Sequence, residues 1–108
     1  MSSTTVTRGN AHETFYIVPT LSPSNVTGNT TSAQTFNIPG LLTTDYVLVQ
    51  GAVGNQTANL IVAEADVLTN GVLTIQFGNM SSVTAAPVSG QYVVQVTRLE
   101  GPAPTNAA

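Results

Sequence analysis

Apolar and polar residues alternate in short runs along this chain, and each run stops where Gly, Pro, Asn or Ser cluster. Phe15-Tyr16-Ile17-Val18 predicts a first strand, ended by Pro19. Residues 22–32 are rich in Ser, Thr, Asn and Gly and predict a loop. In residues 33–38, Ala33, Thr35 and Asn37 face one way, and Gln34, Phe36 and Ile38 the other. Pro39-Gly40 then marks a turn. Tyr46-Val47-Leu48-Val49 is apolar on both faces, which predicts a central strand or one covered on both sides. Residues 51–59 form a second polar loop. Residues 60–67 predict a strand with Glu64 and Asp66 on one face and Ala63, Ala65 and Val67 on the other. Its Ala and Glu content weakens the β propensity. The Asn70-Gly71 pair and the strand after it restore the case, because this pair tolerates the positive φ of a tight hairpin. Residues 72–77 return with Leu73, Ile75 and Phe77 on one face, residues 78–90 read as a loop, and residues 91–98 as the last strand.

Six strands spaced by turn signals, with Ala58 to Leu68 as the one helix-like stretch and the strand reading favoured there, predict an all-β fold. The expected architecture is a small antiparallel β-sandwich or jelly-roll-like barrel of about six to eight strands. The chain of 108 residues suits one domain. Residues 1–12 are polar and without period and read as an extended N-terminal arm. Residues 13–100 form the single β domain, and residues 101–108 a C-terminal tail. A domain of this size is marginally stable unless neighbours contribute.

Composition narrows what such a domain could do. Only 6% of residues are charged, where about a quarter is usual. Arg8 and Arg98 are the only fixed positive charges, against Glu13, Asp45, Glu64, Asp66 and Glu100. Two arginines cannot neutralise a run of phosphates, so nucleic acid is excluded as a partner, and an anionic membrane likewise. Thr, Ser and Asn supply the polarity instead. A surface of hydroxyls and amides is cheaper to desolvate than a charged one when its groups find hydrogen bonds. There is no cysteine, which excludes disulfides and thiolate metal sites. The first residues lack the basic and apolar regions of a signal peptide, and no apolar run approaches the ~18 residues of a membrane span. The expectation is a soluble protein made in a cytoplasm.

Catalytic chemistry finds little footing. His12 is the only histidine, and no Gly-x-Ser-x-Gly elbow accompanies the many serines, so no enzyme is expected. His12 and Glu13 are adjacent on an extended segment and point apart, which argues against a shared metal. Glu64 and Asp66 are two residues apart on one strand face, their Cα atoms roughly 7 Å apart. They are candidate calcium ligands if loop carbonyls join them, or a glycosidase-like pair. The plainer reading is a charged strand edge that discourages unwanted pairing. Asp45 reads as a turn residue. Asn25, Asn29, Asn55 and Asn79 stand in Asn-x-Ser/Thr triplets and read as loop residues. No cofactor is expected.

Val18-Pro19-Thr20-Leu21-Ser22-Pro23, followed by Gln34-Thr35-Phe36-Asn37-Ile38-Pro39-Gly40-Leu41, resembles a family of small tailed-bacteriophage virion proteins of the capsid cement or decoration type. Leu73-Thr74-Ile75-Gln76-Phe77-Gly78-Asn79 and Gly90-Gln91-Tyr92-Val93-Val94-Gln95-Val96-Thr97-Arg98 continue the resemblance, which spans residues 14 to 98. It implies a structural protein on the capsid exterior, often a homotrimer, that stabilises the head by binding between major capsid proteins. Glu64 and Asp66 depart from it, since smaller or basic residues are expected there, and it supplies no catalytic motif. Interface candidates under this reading are Arg8, His12, Phe15, Tyr16, Tyr46 and Arg98. The alternative is a fibre, tail or adhesin module that binds host-surface carbohydrate, although few aromatics are present for sugar stacking.

Overall fold

The computed structural model describes residues 9–103. Its elements in chain order are β1 (Ala11–Ile17), β2 (Thr20–Leu21), β3 (Thr31–Asn37), β4 (Tyr46–Ala52), β5 (Leu60–Thr69), β6 (Val72–Asn79) and β7 (Gly90–Leu99). No helix occurs among the described residues. The strands form two antiparallel sheets, as the alternation predicts.

In the first sheet β7 is central, with β4 on one edge and β1 followed by β2 on the other. Ile17 pairs with Val94, Thr20 with Gln91 and Leu21 with Gly90, so β2 carries on the register of β1 past Val18-Pro19. Pro19 has no N–H to give a ladder, but its carbonyl still accepts the Tyr92 N–H at 3.0 Å. In the second sheet β6 is central, between β3 and β5.

The two central strands face each other across the core. Leu73, Ile75 and Phe77 of β6 and Tyr92, Val94 and Val96 of β7 are fully buried. Leu21, Val26, Leu41, Leu60 and Val67 complete the cluster. Each such side chain contributes roughly 1.5–3 kcal/mol on leaving water. The rings of Phe77 and Tyr92 meet edge to face, with centroids 6.2 Å apart, a favoured aromatic geometry.

Four details differ from the sequence reading. The arm expected to residue 12 ends sooner, because β1 begins at Ala11, which pairs with Leu99. β4 is an edge strand that pairs only with β7 among the described residues; Tyr46 and Leu48 are exposed and Val47 and Val49 face the core. Two apolar faces on this strand therefore do not mean two covered faces. In β5 the register shifts between Val62 and Glu64. This bulge turns Ala63 outward, where strict alternation put it beside Ala65 and Val67. Finally, in the hairpin turn Gly71 has φ +79° whereas Asn70 keeps a negative φ. Asn70 instead accepts the Thr43 N–H on its Oδ1 at 2.9 Å.

That last contact belongs to a larger knot. The Gly71 N–H donates to Leu41 O and the Ile38 N–H to Gly71 O, both at 2.8 Å. The loop after β3 and the β5–β6 turn are thereby tied together at one end of the sandwich.

Candidate functional site

Antiparallel partners share a face, so the pairings fix which side chains line the outside of the first sheet. Tyr46 of β4, Thr97 of β7 and Thr14 of β1 form one row; Leu48, Gln95 and Tyr16 form the next. Val18 follows Tyr16 by two residues. Tyr16, Tyr46 and Leu48 expose 62%, 57% and 66% of their surface, and Val18 46%. No residue in these rows is charged. The result is a sheet face of two phenols, aliphatic side chains, hydroxyls and an amide. Such a face can be desolvated against a protein without stranding an ion.

The outside of the second sheet is different in kind. It presents Thr31, Ala33 and Thr35 from β3, Thr74 and Gln76 from β6, and Ile61, Glu64 and Asp66 from β5. Glu64 pairs with Gln76 and Asp66 with Thr74. Among the described residues no set of three metal-ligating side chains gathers around these two acids or anywhere else. They lie where the sequence put them, on one face.

Arg98 is engaged within the molecule. It stands at the end of the inward row begun by Tyr92, Val94 and Val96. Its Nε donates to Asp45 Oδ1 at 2.9 Å and its Nη2 to Asp45 Oδ2 at 2.7 Å, a bidentate pair. Nη2 also donates to Gly40 O at 3.0 Å, and Glu13 lies 4.0 Å from Nη1. The guanidinium sits over the Phe15 ring, 5.4 Å from its centroid. The Asp45 side chain is fully buried and also accepts the Leu42 N–H at 2.9 Å. The hydrogen bonds from Arg98 hold the Asp45 carboxyl below its ordinary value of 3.8, against the opposing effect of burial. Asp45 is thus a turn residue, as read from the sequence, and also the anchor of this corner.

The remaining interface candidates are spread out. Tyr16 and Tyr46 stand on the outer face, Phe15 is half-buried beneath Arg98, and His12 is exposed at the β1 bulge. Arg8 lies outside the described residues. The sequence reading missed Leu48 because the Tyr46–Val49 run reads as a central strand or one covered on both sides, and it missed Val18, Gln95 and Thr97 because strand pairing, not a local pattern, brings them to this face. A groove of about 400 Å³ adjoins the face at Tyr46, lined also by Thr43, Thr44, Leu99 and Pro102.

The loops at the other end are held by buried polar groups. Asn79 donates from Nδ2 to Val26 O at 3.0 Å and Val83 O at 2.8 Å, and accepts from Ser81 N and Oγ. Its amide is therefore occupied inside the fold, whereas Asn25, Asn29 and Asn55 are exposed. Gln56 Nε2 donates to Tyr92 Oη at 3.0 Å, Tyr92 Oη donates to Val88 O at 2.7 Å, and Val88 N–H returns to Gln56 Oε1 at 2.6 Å. Burial pushes the Tyr92 phenol above its ordinary value, so it stays a donor.

No protein-family model, curated protein or solved structure matches the chain.

Proposed function

We propose that this protein is a structural module of a phage virion, a cement or decoration protein that docks on the capsid exterior through the outer face of the β1–β7–β4 sheet. The observation that carries the reading is that face: Tyr16, Tyr46 and Leu48 exposed together on paired strands, Val18 just past the end of β1, Gln95 and Thr97 between them, and no charge among them. Four of the ten large exposed apolar side chains among the described residues share this one sheet face, and such a gathering marks an interaction surface. Tyrosine is enriched in such surfaces because it buries a large ring yet keeps a polar end. The scarcity of charge fits docking on a protein surface and fits neither nucleic acid nor an anionic membrane. Docking between capsid subunits would add binding free energy to the assembled state and so stabilise the head.

The test is to add purified protein to preformed, expanded capsids and measure co-sedimentation and the capsid melting temperature. Binding with a raised melting temperature is expected. A Tyr16→Ser/Tyr46→Ser/Leu48→Ser variant should keep its circular-dichroism melt and lose binding. Absence of binding by the unmodified protein, together with retention of an oligosaccharide on a glycan array, would replace this reading with the adhesin one.

A further inference from the structure

A sandwich of two open sheets has four edges, and three of these carry features that block pairing with another strand. The β1–β2 edge has a bulge at His12 and the charge of Glu13. The β4 edge has a bulge at Gln50 and lies against β5. The β5 edge has two register shifts and carries Glu64 and Asp66. Bulges, charges and prolines are the usual means by which edge strands are kept from adding to one another.

The β3 edge has none of them. Its seven residues, Thr31-Ser32-Ala33-Gln34-Thr35-Phe36-Asn37, pair with β6 in one unbroken register and include no charge, proline or glycine. Thr30 O accepts the Asn79 N–H and the Ile38 N–H donates to Gly71 O, which sets the alternation: even-numbered residues bond to β6 and odd-numbered ones point away. The N–H and C=O of Thr31, Ala33, Thr35 and Asn37 therefore line the open edge, and all four residues are exposed. The nearby loop does not close it. Ser24 N–H donates to Gln34 Oε1 at 2.7 Å and Gln34 Nε2 to Ser24 O at 2.9 Å, which staples that loop to the inward-facing Gln34 side chain.

We infer that the β3 edge is a self-association site, at which two copies of this chain pair β3 against β3 about a two-fold axis to make one six-stranded sheet. The occupant follows from symmetry and charge. With the axis at Gln34, Thr31 meets Asn37 of the second copy and Ala33 meets its Thr35, so every outward-pointing residue finds an outward-pointing partner. Four hydrogen-bonded pairs supply about eight backbone bonds. An edge that meets its own copy cannot carry net charge without placing like charges together. β3 is neutral, whereas the same operation at β5 would gather four carboxylates. The arrangement is two-fold, in place of the three-fold one that the resemblance implies, and it does not rest on capsid docking, which uses the other sheet.

Sedimentation velocity tests it. At about 100 μM, a concentration at which a micromolar dimer is largely formed, the full chain should run as a dimer. Thr35→Pro removes an N–H that points to the open edge and leaves the β6 ladder intact, so it should raise the dimer dissociation constant at least tenfold. Because proline could also loosen the fold, a second pair of variants accompanies it. Ala33→Lys/Thr35→Lys and Ala33→Glu/Thr35→Glu should each be monomeric alone and should form a mixed dimer when combined. A monomeric wild type, a trimer, or a dimer indifferent to all three variants would overturn the inference. Capsid co-sedimentation of the same variants reports separately on the docking face.

Discussion

Asp45 shows how one side chain can hold an end of a charge-poor domain. Its carboxylate is buried, yet it receives two bonds from Arg98 and one from the Leu42 N–H, and its own N–H returns to Leu42 O. Asp45→Asn keeps the shape but weakens both charge-assisted bonds and leaves Glu13, 4.0 Å away, as the one carboxylate beside Arg98. The expected loss is about 2 kcal/mol, read as a lowered midpoint in urea at unchanged slope. The same pair sets an acid limit. The folded carboxyl titrates below its ordinary 3.8, so its stabilisation is complete above that value and falls away as pH drops through the lower, folded one. The melting temperature of the unmodified protein should therefore decline more steeply below about pH 4 than that of Asp45→Asn. At the other end Tyr92→Phe removes a phenol that both accepts from Gln56 and donates to Val88 O. About 1 kcal/mol is expected, with the aromatic packing on Phe77 kept.

Along single strands, alternation reads some positions and misses others for definite reasons. Leu73, Ile75 and Phe77 were legible as one buried row because β6 is regular and its period of two matches the pleat. The faces of β3 were legible for the same reason. Ala63 was not, because a bulge inserts one residue and reverses the faces without changing the composition. Nor was the role of β4, since a strand covered on one side by protein and offered on the other to a partner has the same sequence as a buried one. The Asp45–Arg98 pair spans 53 residues and no local signal points to it. Asn79 looked like a loop residue because a buried amide satisfied by two carbonyls has no sequence signature. The β5–β6 hairpin yields an element-level prediction. Gly71 holds φ +79°, and a Cβ there would meet open space, so Gly71→Ala tests backbone strain alone. A loss of about 1 kcal/mol in chemical denaturation is expected, without change in the assembled surface.

Across the whole molecule, the two outer faces are unequal. One sheet presents tyrosines, Leu48 and Val18 around a neutral centre; the other presents Thr, Gln and Ile61 with the two acids of β5, Glu64 and Asp66. A monomer meant to stay in solution gains nothing from the first face, which raises its tendency to associate without adding to the core. Charge introduced there should separate folding from docking. Leu48 points away from the core, so Leu48→Glu should change the urea midpoint by no more than about 0.5 kcal/mol equivalent. On the proposed reading it places a carboxylate at the centre of a desolvated contact, where an unpaired ion costs several kcal/mol, so capsid binding should fall by about a hundredfold or more. Asp66→Asn on the opposite face serves as the comparison and should bind as the unmodified protein does. If Leu48→Glu binds unchanged while Asp66→Asn does not, the acidic sheet is the docking face, and the neutral one needs another explanation.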